Sequence, residues 1–83
     1  MQYVIRKKGD GMMISYKKLW KLLIDKELNK KELAGLAGLS QYTINKLNRG
    51  DNVTTETLAK ICIALSCDIG DICEVVYPVE NKA

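Results

Sequence analysis

From Tyr16 onward, apolar residues recur every three or four positions, in short runs separated by polar breaks. That spacing gathers them on one side of an α-helix and predicts a series of short amphipathic helices. The first runs from Tyr16 to about Glu27, capped by Ser15. Leu19, Trp20, Leu22, Leu23 and Ile24 form its apolar face, and Lys17, Lys18, Lys21, Asp25 and Lys26 its polar one. Asn29 caps the second helix, with Glu32 three residues on as the returning partner of a capping box. The third spans about Gln41–Arg49, between Ser40 as cap and Gly50 as stop. Thr54 or Thr55 caps a fourth helix carrying Leu58, Ile61, Cys62 and Leu65. Asp68 opens a short fifth, with Ile69, Ile72, Cys73 and Val76 as its apolar side. Upstream, Tyr3–Arg6 reads as a short extended segment closed by the turn Gly9-Asp10-Gly11. The expected fold is therefore all-α. A compact five-helix domain covers 14–77, a strand or basic arm lies in the extension 1–13, and 78–83 form a polar tail.

The junction of the second and third helices carries the chemistry. In LNKKELAGLAGLSQYTINKLNRG, Leu28 to Gly50, the residues Leu33, Ala37, Leu39, Ile44 and Leu47 fall where two short helices crossing steeply would bury them. Ala34 is small enough to let the next helix pass, and Gly38 supplies the positive φ of a tight turn. This is a helix-turn-helix. Its second helix exposes Gln41, Tyr42, Thr43, Asn45, Lys46 and Arg49, side chains able to hydrogen-bond base edges and phosphates.

Charge distribution agrees. The net charge of the 83 residues is only +3. Residues 1–49, however, hold eleven Lys or Arg against four Asp or Glu, a net of +7. Residues 50–83 hold two against six, a net of −4. The basic half contains the motif, which points to a polyanionic partner. No apolar run approaches the roughly 20 residues of a membrane span. The N-terminal MQYVIRKKGDGMM lacks a secretory leader's apolar stretch, so a cytoplasmic protein is expected. With no histidine, no phosphate-binding glycine loop and no clustered acid pair, neither an enzyme nor a metal or other cofactor is expected. Cys62, Cys67 and Cys73 lack metal-site spacing. Cys62 and Cys73 read as buried small hydrophobes, while Cys67 is the one to watch for reactivity.

Five helices with a helix-turn-helix at the second and third resemble the lambda-repressor-like (Cro/phage repressor, Xre-type) DNA-binding family. Besides the motif itself, YKKLWKLLIDKEL and TLAKICIALSCDIGDI are similar to its small stand-alone members. The resemblance covers about Ile14 to Val76. It implies a transcriptional regulator that binds double-stranded DNA as a homodimer. By position it implies base contacts from Gln41, Tyr42, Asn45 and Lys46. Phosphate contacts would come from Asn29, Lys30, Lys31, Ser40, Thr43, Arg49 and Asn52. Many relatives pair an Arg of the first helix with a Glu two residues before the glycine. Here Leu23 and Asn48 hold those places, so both partners are lost together and no buried charge is orphaned. Lys17, Lys18 or Lys21 are available to restore the missing positive charge.

Gln41 suits the N6 and N7 edge of adenine, Lys46 the O6 and N7 acceptors of guanine, and Tyr42 a thymine methyl or a phosphate. One such unit makes few base contacts, so a dimer on a two-fold symmetric site is economical. Ile69, Ile72, Val75, Val76 and Tyr77 exceed a lone short helix's needs and are the expected dimer surface. For Met1–Met13 three roles compete: a minor-groove arm through Arg6-Lys7-Lys8, a strand pairing Tyr3–Arg6 with Val75–Val79, or an unstructured leader. The apolar Tyr3-Val4-Ile5 favours the strand. A repressor of nearby genes is the simplest role for a domain without a separate effector module, by analogy. The rivals are an interaction adaptor or antitoxin-like partner without strong sequence readout, and a thiol switch through Cys67.

Overall fold

The computed structural model describes residues 14–76. In chain order they form β1 (Ile14–Ser15), α1 (Lys17–Asp25), α2 (Lys30–Ala37), α3 (Gln41–Arg49), α4 (Thr55–Leu65), a 3₁₀ turn (Ile69–Asp71) and β2 (Glu74–Val75). Side chains start three of the four helices. The Asn29 carboxamide accepts the Glu32 N–H at 2.7 Å while the Glu32 carboxylate accepts the Asn29 N–H at 2.8 Å, a complete capping box. Ser40 accepts from the Thr43 N–H, and Thr54, rather than Thr55, from the Thr57 N–H, each at 3.1 Å. α1 differs. Its cap position is Tyr16, and Ser15 belongs to β1, although its hydroxyl still accepts the Lys17 N–H at 3.2 Å.

All four helices stop in the same way. The N–H of Leu28, Leu39, Asp51 or Cys67 reaches back to the carbonyl five residues earlier, at 2.9–3.0 Å. The residue in between is left-handed: Glu27 (φ 58°), Gly38 (φ 70°), Gly50 (φ 78°) and Ser66 (φ 56°). This is the Schellman arrangement, which satisfies the last carbonyls and turns the chain sharply. Gly38 adopts it freely and sets the turn between α2 and α3. Glu27 and Ser66 adopt it against the preference of residues that carry a Cβ.

The core draws on every helix. Leu19 of α1, Leu33 of α2, Ile44 and Leu47 of α3, and Ile61 of α4 are fully buried together with Ile72. Cys62, Leu65 and Cys73 join them, and Leu39, Leu58 and Cys67 pack at the margin. Ile24 departs from the expected apolar face of α1, being 73% exposed in the helix's last turn.

The expected fifth helix is a single 3₁₀ turn, so the described residues form four helices and a small sheet rather than five helices. Asp68 does cap it, with Asp71 returning the bond to the Asp68 N–H at 2.9 Å. Beyond it the β-branched Val75 takes an extended conformation because a partner strand is present. β2 pairs antiparallel with β1, Ile14 opposite Val75 and Ser15 opposite Glu74. Lys18 holds this end to α1, donating to the Gly70 carbonyl at 3.0 Å and lying 3.7 Å from the Glu74 carboxylate. The expected pairing of Tyr3–Arg6 with the C-terminal segment lies outside the described residues, as does Tyr77.

Candidate nucleic-acid interface

α3 turns its two sides to different solvents. Ile44 and Leu47 bury into the core and fix how the helix lies on α2. The opposite side carries Gln41, Tyr42, Asn45, Asn48 and Arg49, all exposed, with Thr43 and Lys46 half-buried beside them. Two pairs spaced four residues apart order this outer face. Gln41 Nε2 donates to Asn45 Oδ1 at 3.0 Å, and the Lys46 ammonium lies 5.6 Å from the centre of the Tyr42 ring. The first pair leaves Gln41 an amide oxygen and a second N–H, the combination that reads N6 and N7 of adenine. In the second, the ring steadies a long flexible cation without neutralising it.

The predicted phosphate-binding residues fall into three groups. Ser40 and Thr43 share a 3.2 Å hydroxyl bond at the start of α3, next to the outer face. Asn29, Lys30 and Lys31 lie at the start of α2. There the capping box already engages the Asn29 carboxamide and puts the Glu32 carboxylate on the helix end, which weakens that end as an anion seat. Lys31 makes no ion pair among the described residues. Lys30 does not point freely outward, because its ammonium lies 4.3 Å from the Trp20 ring centre and donates to Asn48. Arg49 and Asn52 flank the end of α3. Arg49 is paired, its Nε and Nη2 both 2.9 Å from one Asp51 carboxylate oxygen. Tyr16 fastens this loop from below by donating to the Asp51 carbonyl at 3.2 Å. Burial raises the Tyr16 phenol above its ordinary value, so the donor stays protonated.

Of the expected dimer surface, Ile72 is spent on the chain's own core, whereas Ile69, Val75 and Val76 are exposed. Among the described residues, no cluster of His, Cys, Asp or Glu could hold a metal ion, and no helix is long and apolar enough to cross a membrane.

Residues 18–77 match the Cro/C1-type HTH DNA-binding domain. The chain belongs to this family. It is also similar to the crystal structure of the transcriptional regulator VanUg (Form II), at 43% identity and a TM-score of 0.77. That likeness covers 89% of this chain and 99% of the other. No curated protein matches. In this Cro/C1-type domain two contacts escape sequence reading. The Arg49–Asp51 pair had a local signal, opposite charges two residues apart across a glycine. The Trp20–Lys30–Asn48 contact had none, since three separate helices bring it together.

Proposed function

We propose that the protein is a sequence-specific regulator of transcription, binding double-stranded DNA with α3 in the major groove. The observation that carries this reading is the outer face of α3. There Gln41–Asn45 and Tyr42–Lys46 form two ordered polar pairs on a helix whose other side is locked into the core. Gln41, Tyr42, Asn45 and Lys46 address base edges, which specify the site. Asn29, Lys31, Ser40, Thr43, Arg49 and Asn52 address phosphates, which set the register. Family membership and the likeness to a transcriptional regulator support this assignment.

The finer reading is a homodimer on a two-fold symmetric operator, acting as a repressor in the cytoplasm. One α3 offers few base contacts, and the exposed Ile69, Val75 and Val76 supply an apolar patch for a second copy. Occupying the operator blocks other proteins from the same DNA, so repression asks nothing of the protein beyond binding. Selection from a pool of randomised duplexes tests the whole proposal. Enrichment of a symmetric site, with half-sites about 10–10.5 base pairs apart or a multiple of that, is expected. A pool that stays random through repeated rounds would refute it.

A further inference from the structure

Lys30 opens α2, and its ammonium is engaged twice. It lies 4.3 Å from the centre of the Trp20 ring on α1, and it donates to the Oδ1 of Asn48 in the last turn of α3. One side chain thereby joins three helices at a single corner. A cation in the first turn of a helix opposes the helix dipole. The ring face and the amide oxygen supply what that position withholds. Swinging away from this corner to a phosphate elsewhere would abandon both.

The chemistry of the contact also sets the direction of Asn48. An ammonium only donates, so the Asn48 atom facing it is the carbonyl oxygen. The NH2 of the same planar amide is turned away from Lys30, and no acceptor takes it among the described residues. Asn48 lines a cleft of about 440 Å³ together with Lys17 and Arg49. Ile14, Trp20, Leu47 and Val76 make much of its lining apolar, and Arg49 is paired with Asp51, so an anionic oxygen at its rim meets the amide beside Lys17 and a paired Arg49.

We infer that Lys30 is a positioning residue, which aims the Asn48 amide at a DNA phosphate instead of contacting one itself. The inference rests on the DNA-binding reading above, and it adds Asn48 to the residues that touch the backbone. Lys30 then acts only through Asn48, and its removal leaves the number of neutralised phosphates unchanged.

A double-mutant cycle on the selected duplex decides the matter, with Kd measured over a series of salt concentrations. The substituted side chains are exposed and outside the buried core, and a thermal melt of each variant checks that it folds. Asn48→Ala is expected to weaken binding roughly three- to tenfold per half-site, the net worth of one hydrogen bond. Lys30→Met loses the same factor with the wild-type salt slope, Lys30→Arg restores it, and the double variant is no weaker than Asn48→Ala alone. Trp20 is the chain's one tryptophan, so Lys30→Met also shifts the emission of the free protein. If Lys30→Met instead makes the slope shallower by about 0.9 per half-site, and the two losses multiply, Lys30 is itself the phosphate contact and the proposal falls. Unchanged emission would remove the Trp20 contact on which it stands. Wild-type protein that binds the selected and scrambled duplexes equally would overturn the DNA-binding reading, and the role of Asn48 with it.

Discussion

Replacing Asp51 by Asn should tighten DNA binding. In the free protein the Arg49 guanidinium holds one Asp51 oxygen with two nitrogens at 2.9 Å. Both side chains are roughly half exposed, at 57% and 44%, so water screens the pair. Its worth is about 0.2–1 kcal/mol. A phosphate that recruits Arg49 must offset that amount and then tolerate the carboxylate nearby. With the carboxylate about 7 Å from the phosphate, the repulsion in water adds about 0.6 kcal/mol. Asn removes both terms while keeping the side chain's shape and the main-chain carbonyl to which Tyr16 donates. The gain is about 1 kcal/mol per half-site, or about fivefold in Kd. Two half-sites multiply to about 25-fold for a dimer. Fluorescence anisotropy on the selected duplex measures it, alongside a thermal melt that should fall by less than about 1 kcal/mol equivalent. An Asp51→Asn protein that binds no better, or worse, while melting normally would show that Arg49 does not contact phosphate.

Four further outcomes follow from the same structure. Lys46→Ala should relax discrimination at one base pair per half-site by about 1–3 kcal/mol. Lys31→Ala should weaken all sequences alike and lower the salt slope by about 0.9 per half-site; competition against single-base operator variants separates the two. Ser66→Gly should stabilise the fold by about 0.5–1 kcal/mol, raising Tm by roughly 3–6 °C, because it relieves a left-handed residue. A Tm that falls would mean the Ser66 backbone is not strained. Finally, burial, and then the neighbouring Cys67 thiol, pushes Cys62 from 9.0 up to about 11. Between those values the unfolded chain gives up its proton first, so stability is full below pH 9 and declines as pH rises toward 11. Urea midpoints across that range check it, and a decline undiminished in Cys62→Ala would assign the effect elsewhere.

What could be read from the chain was local. The helix starts at Asn29, Ser40 and Thr54 rest on side chains bonding three residues ahead, and the turn at Gly38 on a single residue's φ. Such signals survive in a sequence because the interacting atoms are close along it. The C-terminal segment shows the opposite. Ile69, Ile72, Cys73 and Val76 have helical spacing, yet Gly70 interrupts them, and β2 finds its partner at the far end of the domain. Pairing of that kind overrides local periodicity. The same distinction divides the candidate interface. The outward positions of α3 followed from the burial of Ile44 and Leu47, whereas Lys30's engagement by Trp20 and Asn48 depends on how three helices meet. Its position in the sequence reads as a free cation, and only the packing shows that it is not.

The central claim is that the outer face of α3 reads DNA sequence. Fluorescence anisotropy with the selected duplex and a scrambled one, each across a salt series, tests it most directly. The account predicts that the selected duplex binds tens to thousands of times more tightly at every salt concentration, while both affinities fall as salt rises. Equal affinities that collapse together would leave only attraction to the phosphate backbone and would contradict it.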